Sequence, residues 1–494
     1  MERLLDILRR PGAKTEVVGV ATTQNLDLLE KDGSVDVAKS GSVMGYENKK
    51  KARLLDRWLD WVVDVSGSEV VFLTILASLL TWALVGIKYH HVLDWQIVIS
   101  DVQAILSYFF DSLLMRQQLN THAISLDVCA ELRSRSLTNR RMLETLVSEM
   151  DDNELASMCL LSENPSTPEF EQSLPKEKLF GRVSTFASEV LGHILFIAIF
   201  WICMVIWLAF GPANHWSDVW QLDINSGTSA LMVLVFAFLA NIRERHSDYS
   251  LKCLDATFRV DSALEAKLRL LTGDKLENDT VIIPAPRVRA LQRAINYYAD
   301  VVGTLVGIAI LLVVTVVWIA IGPIMHFSSN WWLIIGTYAG LIGLNDGFVL
   351  RNVQARLNDH ESLEFSKVET DDAAMFAAAR IPLPEKTHMN NNTLTYRVST
   401  AMNRVCAHEI TVVIGFLFVL GLLCGSSAMG WNTTGQLLSN VPPSIVESFF
   451  MIILITGHNF SEASRRADLK DIYERRLKLV AFVNVVKKSE RIVV

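Results

Sequence analysis

The sequence predicts an all-α polytopic membrane protein: eight transmembrane helices in four repeated helical hairpins, joined by helical cytoplasmic connectors. Three observations carry this expectation. Hydrophobic residues make up 51% of the 494-residue chain and charged residues only 20%, with a mean hydropathy of +0.30. Apolar stretches of about 20 residues, enough helix to cross ~30 Å of hydrocarbon, begin near Ser66, Gln96, Glu189, Gln221, Asp300, Trp332, His408 and Pro443. They come in close pairs, and the pairs are copies of one unit.

The copying shows in a spaced frame. Trp82, Gly86, His90 and Trp95 fall at intervals of 4, 8 and 13 from the first Trp; Trp207, Gly211, His215 and Trp220 repeat the intervals, as do Trp318, Gly322, His326 and Trp331. An acid precedes the first Trp by 18 residues each time (Asp64, Glu189, Asp300) and a glycine by 15 (Gly67, Gly192, Gly303). The fourth pair keeps only Gly425 and Trp431. Eighteen helical residues rise about 27 Å, so acid and Trp are expected at opposite interfaces, with Trp in the interfacial belt. The early glycine is expected to allow close helix approach, and the later one to end the first helix.

In chain order this gives a cytoplasmic N-terminal segment 1–60, hairpins 61–124, 186–248, 297–360 and 405–465, connectors 125–185, 249–296 and 361–404, and a C-terminal helix 466–494. MERLLDILRRPGAK reads as a short amphipathic helix ended near Pro11 rather than a secretory signal, because Asp6 breaks its apolar residues. ELRSRSLTNRRMLETLVSEM and DATFRVDSALEAKLRLL in the connectors read as charged helical extensions. Of 46 Lys and Arg, only Lys88 lies within a pair of spans. The positive-inside rule therefore puts connectors and termini in the cytoplasm and the hairpin loops outside. The sequon Asn432-Thr433-Thr434 on the fourth loop agrees with that. Six scattered cysteines without a CxxC pair predict neither a disulfide framework nor a thiolate zinc site.

Function enters through polar residues at membrane depth. An ionisable group there costs at least ~2.5–3.5 kcal/mol, so each needs a reason. They concentrate on the second helix of each hairpin, at two expected levels. The outer level holds Asp101, Gln103, Asn225 and Glu447, the last following Pro442-Pro443, which can start a helix within the membrane. The inner level holds Asp111, Met115, Asn345, Asp346 and His458 with Asn459. Carboxylates and amides supply hard oxygens, while His458 and Met115 add borderline and soft donors. Such a mixture suits a divalent transition metal better than Mg or Ca. Weak stations are expected rather than a storage site, because a carried ion must leave. His90, His215 and His326 form a weaker candidate set at the outer mouth. Asp64, Glu189 and Asp300 read as ion-pair partners of Arg116, Arg243 or Arg351, His193 as a packing residue, and Met115 as core or ligand.

The same residues carry a resemblance to a known family. DSLLMRQQL at 111–119, NWWLIIGTYAGLIGLNDGFVLR at 330–351, WNTTGQLLSNVPPSIVESFF at 431–450 and the Gly457-His458-Asn459 triplet resemble the low-affinity iron(II) permeases of fungal plasma membranes. WQLDINSGTSALMVLVFAFLANIRER at 220–245 is similar to their short, single-hairpin bacterial relatives. The resemblance implies low-affinity plasma-membrane uptake of Fe(II), with Zn, Cu and Mn tolerated and no tightly bound cofactor. Its partners are the lipid bilayer and metal ions, not nucleic acid. It assigns no ligands, and the repeated outer histidines are not part of its motif. A metal-permeable or metal-gated channel is the competing reading; a non-transporting scaffold has no use for intramembrane carboxylates. Without a Walker A or HExxH motif, neither an ATP-driven pump nor an intramembrane enzyme is expected. Serial copies of one unit point to an ancestor that worked as an oligomer, and a homodimer is expected.

Overall fold

A computed structural model describes residues 16–24, 44–47, 51, 53–90, 92–150, 155, 170–387 and 394–493. The expected N-terminal amphipathic helix and Cys159 lie outside them. The described residues are mostly helical. In chain order they form α1 (Leu54–Ser66), α2 (Glu69–Tyr89) and α3 (Leu93–Ser148); α4 (Leu179–Leu191), α5 (Ile194–Ala209) and α6 (Asp218–Thr272); α7 (Ala290–Val302), α8 (Leu305–Ile321) and α9 (Ser329–Ala378); and α10 (Leu394–Cys406), α11 (Glu409–Ala428), the short α12 (Thr433–Leu438) and α13 (Val441–Val493). A two-stranded antiparallel sheet, β1 (Val17–Gly19) with β2 (Val281–Ile283), lies against α3 and departs from the all-α expectation. Among the described residues six helices are long and apolar enough to cross a membrane, or up to eight if the pairs α4–α5 and α7–α8, bent by 49° and 63°, each make one span.

A break shifts the expected spans. Asp64, Glu189 and Asp300 sit on α1, α4 and α7, ahead of the apolar helices. Gly67, Gly192 and Gly303 end those short helices, and the chain restarts on an N-cap. The side chains of Ser68, His193, Thr304 and His408 each accept an amide N–H at the start of the next helix. His193 is thus a cap rather than a packing residue.

The breaks also lock the copies together. A Cβ on Gly67 would stand 2.9 Å from the Ala240 carbonyl oxygen on α6, on Gly192 3.2 Å from Thr456 Cα on α13, and on Gly303 3.3 Å from the Arg116 nitrogen on α3. Asn241 donates to the Gly67 carbonyl (2.8 Å), Thr456 to that of Gly192 (2.8 Å), and Asn352 on α9 to that of Ala407 at the fourth break (2.6 Å). The first break leans on α6, the second on α13, the fourth on α9 and the third on α3. The long helices pack in the same cyclic order, α3–α6–α13–α9 and back to α3.

Each long helix has 50 to 56 residues, about 75–84 Å of continuous helix. The boundaries expected at 124, 248, 360 and 465 fall inside them, so the charged connectors begin as extensions of the inner helices. Only 6% of the apolar stretch of α2 and 22% of that of α11 is buried, against 72% in α3, 67% in α6, 78% in α9 and 72% in α13. The long helices therefore form the inside, and α2 and α11 turn their apolar surface outward.

Trp pairs clasp the loop ends. The rings of Trp82 and Trp95 stack at 4.3 Å, each donating its indole N–H to the other's backbone carbonyl (3.2 and 3.0 Å). Trp318 and Trp331 do the same at 4.4 Å (3.0 and 2.8 Å), and Trp207 stacks on Trp220 at 3.8 Å. The interval of 13 serves this contact rather than separate interfacial anchors. Gly86 lies inside α2 rather than ending it, and a Cβ there would meet the Trp95 ring at 2.3 Å.

The charged ends of the long helices are tied by a buried ion-pair network. Arg135 of α3 reaches Asp261 (3.1 Å) and Glu265 (2.9 Å) of α6, and Arg476 of α13 reaches Asp261 (2.9 Å) and Asp372 of α9 (2.8 Å). Arg476 is fully buried. Removing one partner of such a network strands a buried charge and costs about 3–5 kcal/mol. Arg476→Ala should therefore lower the melting temperature of the detergent-solubilised protein sharply, and an unchanged thermal-shift curve would contradict this role.

Candidate metal path

The ring of long helices has an axis, and the polar residues of its apolar stretches are arranged along it in levels. Nearest the Trp clasps lies a belt of amides and hydroxyls. Asn225 of α6 donates to Ser100 of α3 (2.7 Å), Ser444 of α13 donates to Asn225 (3.4 Å), and Ser229 donates to Gln103 (3.4 Å). Gln103 in turn donates to Ser107 (3.3 Å). Asp101 is buried on the same stretch of α3, and its Oδ2 has no hydrogen-bond partner.

The next level holds carboxylates. Asp111 of α3, Asp346 of α9 and Glu447 of α13 are 0%, 1% and 0% exposed. Asp111 lies within electrostatic reach of both Asp346 and Glu447, and Glu447 within reach of Asp346. α3 and α13 occupy opposite corners of the ring, so that reach runs across the axis. Both side-chain oxygens of Asp111 and of Glu447 lack a partner, as does Oδ2 of Asp346, whose Oδ1 accepts from Tyr298 at 2.5 Å. Gly343 on α9 makes room for Glu447, since a Cβ there would stand 2.5 Å from Oε1. Tyr108 and Tyr338 face each other at 6.2 Å beside the carboxylates, and Asn345 hydrogen-bonds to Tyr298. The sequence reading missed all three tyrosines; Tyr108, three residues before Asp111 on the same helical face, was the available signal.

Several expected positions move. Glu447 belongs with Asp111 and Asp346, not with Asp101. The short α12 interrupts the chain after Trp431, so depth cannot be counted from that Trp along one helix. In the second copy the position 16 residues after Trp220 is Phe236, where Trp95 is followed at the same interval by Asp111; Phe236 is fully buried and stacks on Phe110 at 6.0 Å. Met115 packs in the apolar core beside Phe110, Leu114 and Phe236, with its Cγ facing Gly303. His458 lies 11 residues beyond Glu447, about 16 Å farther along the helix, and meets His246 instead of the carboxylates (2.9 Å). Asn459 holds the α4 break through Ser188.

The ion pairs of Arg116 are not the ones expected of Asp64 or Glu189. Arg116 binds Asp60 (2.8 Å) and Asp56 (3.3 Å) on α1. Against the desolvation that raises it, hydrogen bonds from Lys51, Asn120 and Arg116 hold the Asp60 carboxyl below its usual range. Arg243 donates to the Leu114 carbonyl (3.5 Å) and Arg351 to Gln354 (2.6 Å). His90, His215 and His326 are exposed on separate turns, the latter two at φ 53° and 52°. Among the described residues no group of three or more His, Cys, Asp or Glu is arranged to hold a metal ion. The carboxylates are thus close enough to feel one another without forming a closed cage.

Comparison with known proteins identifies the family. A family model described as low affinity iron permease matches residues 180–283, 291–367 and 395–493, more than half of the chain. The chain belongs to the low-affinity iron permeases. This permease is 36% identical over 444 residues to the low-affinity iron/zinc ion transport protein fet4 of Schizosaccharomyces pombe, covering 90% of this chain and 75% of the relative. It is 33% identical over 486 residues to the low-affinity Fe(2+) transport protein of Saccharomyces cerevisiae, covering 91% and 87%. No solved structure matches it. The resemblance read from the motifs is borne out. In this permease Gly343→Ala should push Glu447 aside and cut divalent-metal uptake about tenfold, which is about 1.4 kcal/mol. Gly227→Ala on α6, where a Cβ meets nothing within 4 Å, should leave uptake unchanged. Equal uptake in both variants would remove Glu447 placement from the account.

Proposed function

We propose that this permease carries divalent transition-metal ions into the cell at low affinity, along the axis enclosed by α3, α6, α13 and α9. Fe(II) is the first substrate and Zn(II) the second, in keeping with the relatives' names, and Cu and Mn are tolerated through the same oxygen donors. One observation carries the reading: Asp111, Asp346 and Glu447 converge on that axis from three helices with five of their six oxygens unpartnered. Buried acceptors without partners and like charges within reach of one another are both costly. A dication relieves both costs at once, and weakly enough to be released.

In this reading α2, α5, α8 and α11 are the outgoing helices of four hairpins, each entered from a short helix across a break, and the long helices return. The short helices α1, α4, α7 and α10 lie at the interface, where amphipathic helices settle. The Lys- and Arg-rich extensions and both termini face the cytoplasm of a plasma-membrane protein. An ion enters past the Trp clasps, meets Asp101 with the belt of Gln103 and Asn225, and reaches the carboxylate level about 15 Å deeper. Complete burial of Asp111 and Glu447 fits the occluded centre of a carrier better than an open pore. One chain closes the whole ring, so a homodimer, if formed through the extensions, is not needed for the path.

Asp111→Asn, Asp346→Asn and Glu447→Gln should each lower cellular Fe(II) uptake at least about tenfold, with surface-labelled protein unchanged. Normal uptake in all three would take the axis out of the path. The combined variant His90→Ala, His215→Ala, His326→Ala should shift apparent affinity by less than about threefold, under 1 kcal/mol; complete loss of uptake would put the outer histidines on the path.

A further inference from the structure

Beyond the carboxylates, the long helices bring together four histidines that the sequence reading did not connect. Each long helix contributes one: His122 on α3, His246 on α6 and His360 on α9, 26 to 29 residues after the Trp of the same helix, and His458 on α13. They meet as two pairs between ring neighbours. His246 Nδ1 lies 2.9 Å from His458 Nε2, and His360 Nδ1 lies 3.3 Å from His122 Nε2. The same two atom types face each other in both.

The surroundings repeat as well. In each pair the ring that offers Nδ1 has a carboxylate behind its other nitrogen, directly for His360 and through a hydroxyl for His246. His360 Nε2 lies 3.9 Å from Glu364 Oε1. His246 Nε2 lies 3.1 Å from Thr185 Oγ1, and that hydroxyl donates to Glu177 Oε1 at 3.2 Å. A carboxylate behind the far nitrogen keeps the proton there and leaves the Nδ1 lone pair for a metal, as outer partners of metal-binding histidines do. A hydrogen bond between two imidazoles also requires that the accepting ring be neutral. Two nitrogens bound to one tetrahedral ion at about 2.0–2.1 Å stand about 3.3–3.4 Å apart; the His360–His122 separation of 3.3 Å lies at that value, and the His246–His458 rings, at 2.9 Å, would part by about 0.4 Å to admit the ion.

The pairs open onto space. His122, His246 and His458 share the wall of a cavity of about 60 Å³ with Arg243, and His122 and His360 line a second, open cavity of about 760 Å³. The neighbouring cations Arg465 and Arg466 are engaged by Glu361 (2.8 Å), Glu462 (2.7 Å) and Glu177 (3.2 Å).

We propose that His246–His458 and His122–His360 are two divalent-metal sites at the charged end of the path, each chelating one borderline ion such as Zn(II) or Fe(II) between Nδ1 of one ring and Nε2 of the other. Water completes the coordination, which keeps each site weak. Their position as an exit station rests on the transport reading; their metal binding does not.

The test uses detergent-purified full-length permease titrated with Zn(II) alone, read by stoichiometry and by X-ray absorption. Bound zinc in the wild type should show the outer-shell scattering of imidazole. His246→Gln with His458→Gln, and separately His122→Gln with His360→Gln, should each remove about one zinc per chain, and the fourfold variant should lose both with the imidazole signal they contribute. The Asp111→Asn, Asp346→Asn, Glu447→Gln variant should keep that signal. No imidazole scattering in the wild type, a measurement that needs no variant to fold, would overturn the proposal. So would a fourfold variant, monodisperse on gel filtration, that binds zinc as the wild type does. A wild type that binds zinc through these imidazoles yet carries no metal across vesicles would sink the transport reading and leave the sites standing.

Discussion

Three carboxylates that cannot reach water set the terms for this molecule. Each costs a few kcal/mol to hold in an apolar stretch, and Asp111 and Glu447 have no protein donor to offset that cost. Such groups persist only on a scaffold stable enough to carry them. The scaffold is the ring of long helices, and most of what is distinctive in the sequence serves to close it.

Closure is achieved at three heights. At the loop ends, stacked indoles join α2 to α3, α5 to α6 and α8 to α9. At the other end of the apolar helices the breaks dock on the next long helix around the ring, through glycines and side chains that cap the broken carbonyls. Farther out, Arg135, Arg476, Asp261 and Asp372 join α3, α6, α13 and α9 through buried ion pairs. A buried network of that kind is a weak source of stability compared with apolar packing, but it fixes which helices face one another. The polar groups of the axis are therefore positioned from both ends, which a single hairpin could not do.

Much of this was legible in the sequence, for physical reasons. The apolar stretches, their pairing and the concentration of polar residues on the second helix of each pair are matters of composition at known depth. Asp101, Gln103, Asn225, Asp111 and Asp346, singled out by helical rise from the Trp residues, are all buried on the long helices. What failed needed a partner from elsewhere in the chain. Gly67 looks like a packing glycine until the chain is seen to turn there. Trp82 and Trp95 look like interfacial anchors until their rings are seen to stack. Glu447 was misplaced because α12 breaks the count from Trp431, and Met115 looked like a donor because its depth was right while its face was not. The histidine pairs were invisible because His122, His246 and His360 are unremarkable on their own helices, His458 was assigned to the carboxylate level, and only the ring order α3–α6–α13–α9 makes them neighbours.

Transport along this path requires that a metal ion occupy the axis between Asp111, Asp346 and Glu447. The most direct measurement is anomalous diffraction from crystals of the permease equilibrated with millimolar Mn(II). An anomalous peak on the axis within coordination distance of carboxylate oxygens from all three residues is the predicted result. Saturating Mn(II) with no peak at that level, while ordered metal is seen elsewhere in the protein, would contradict it.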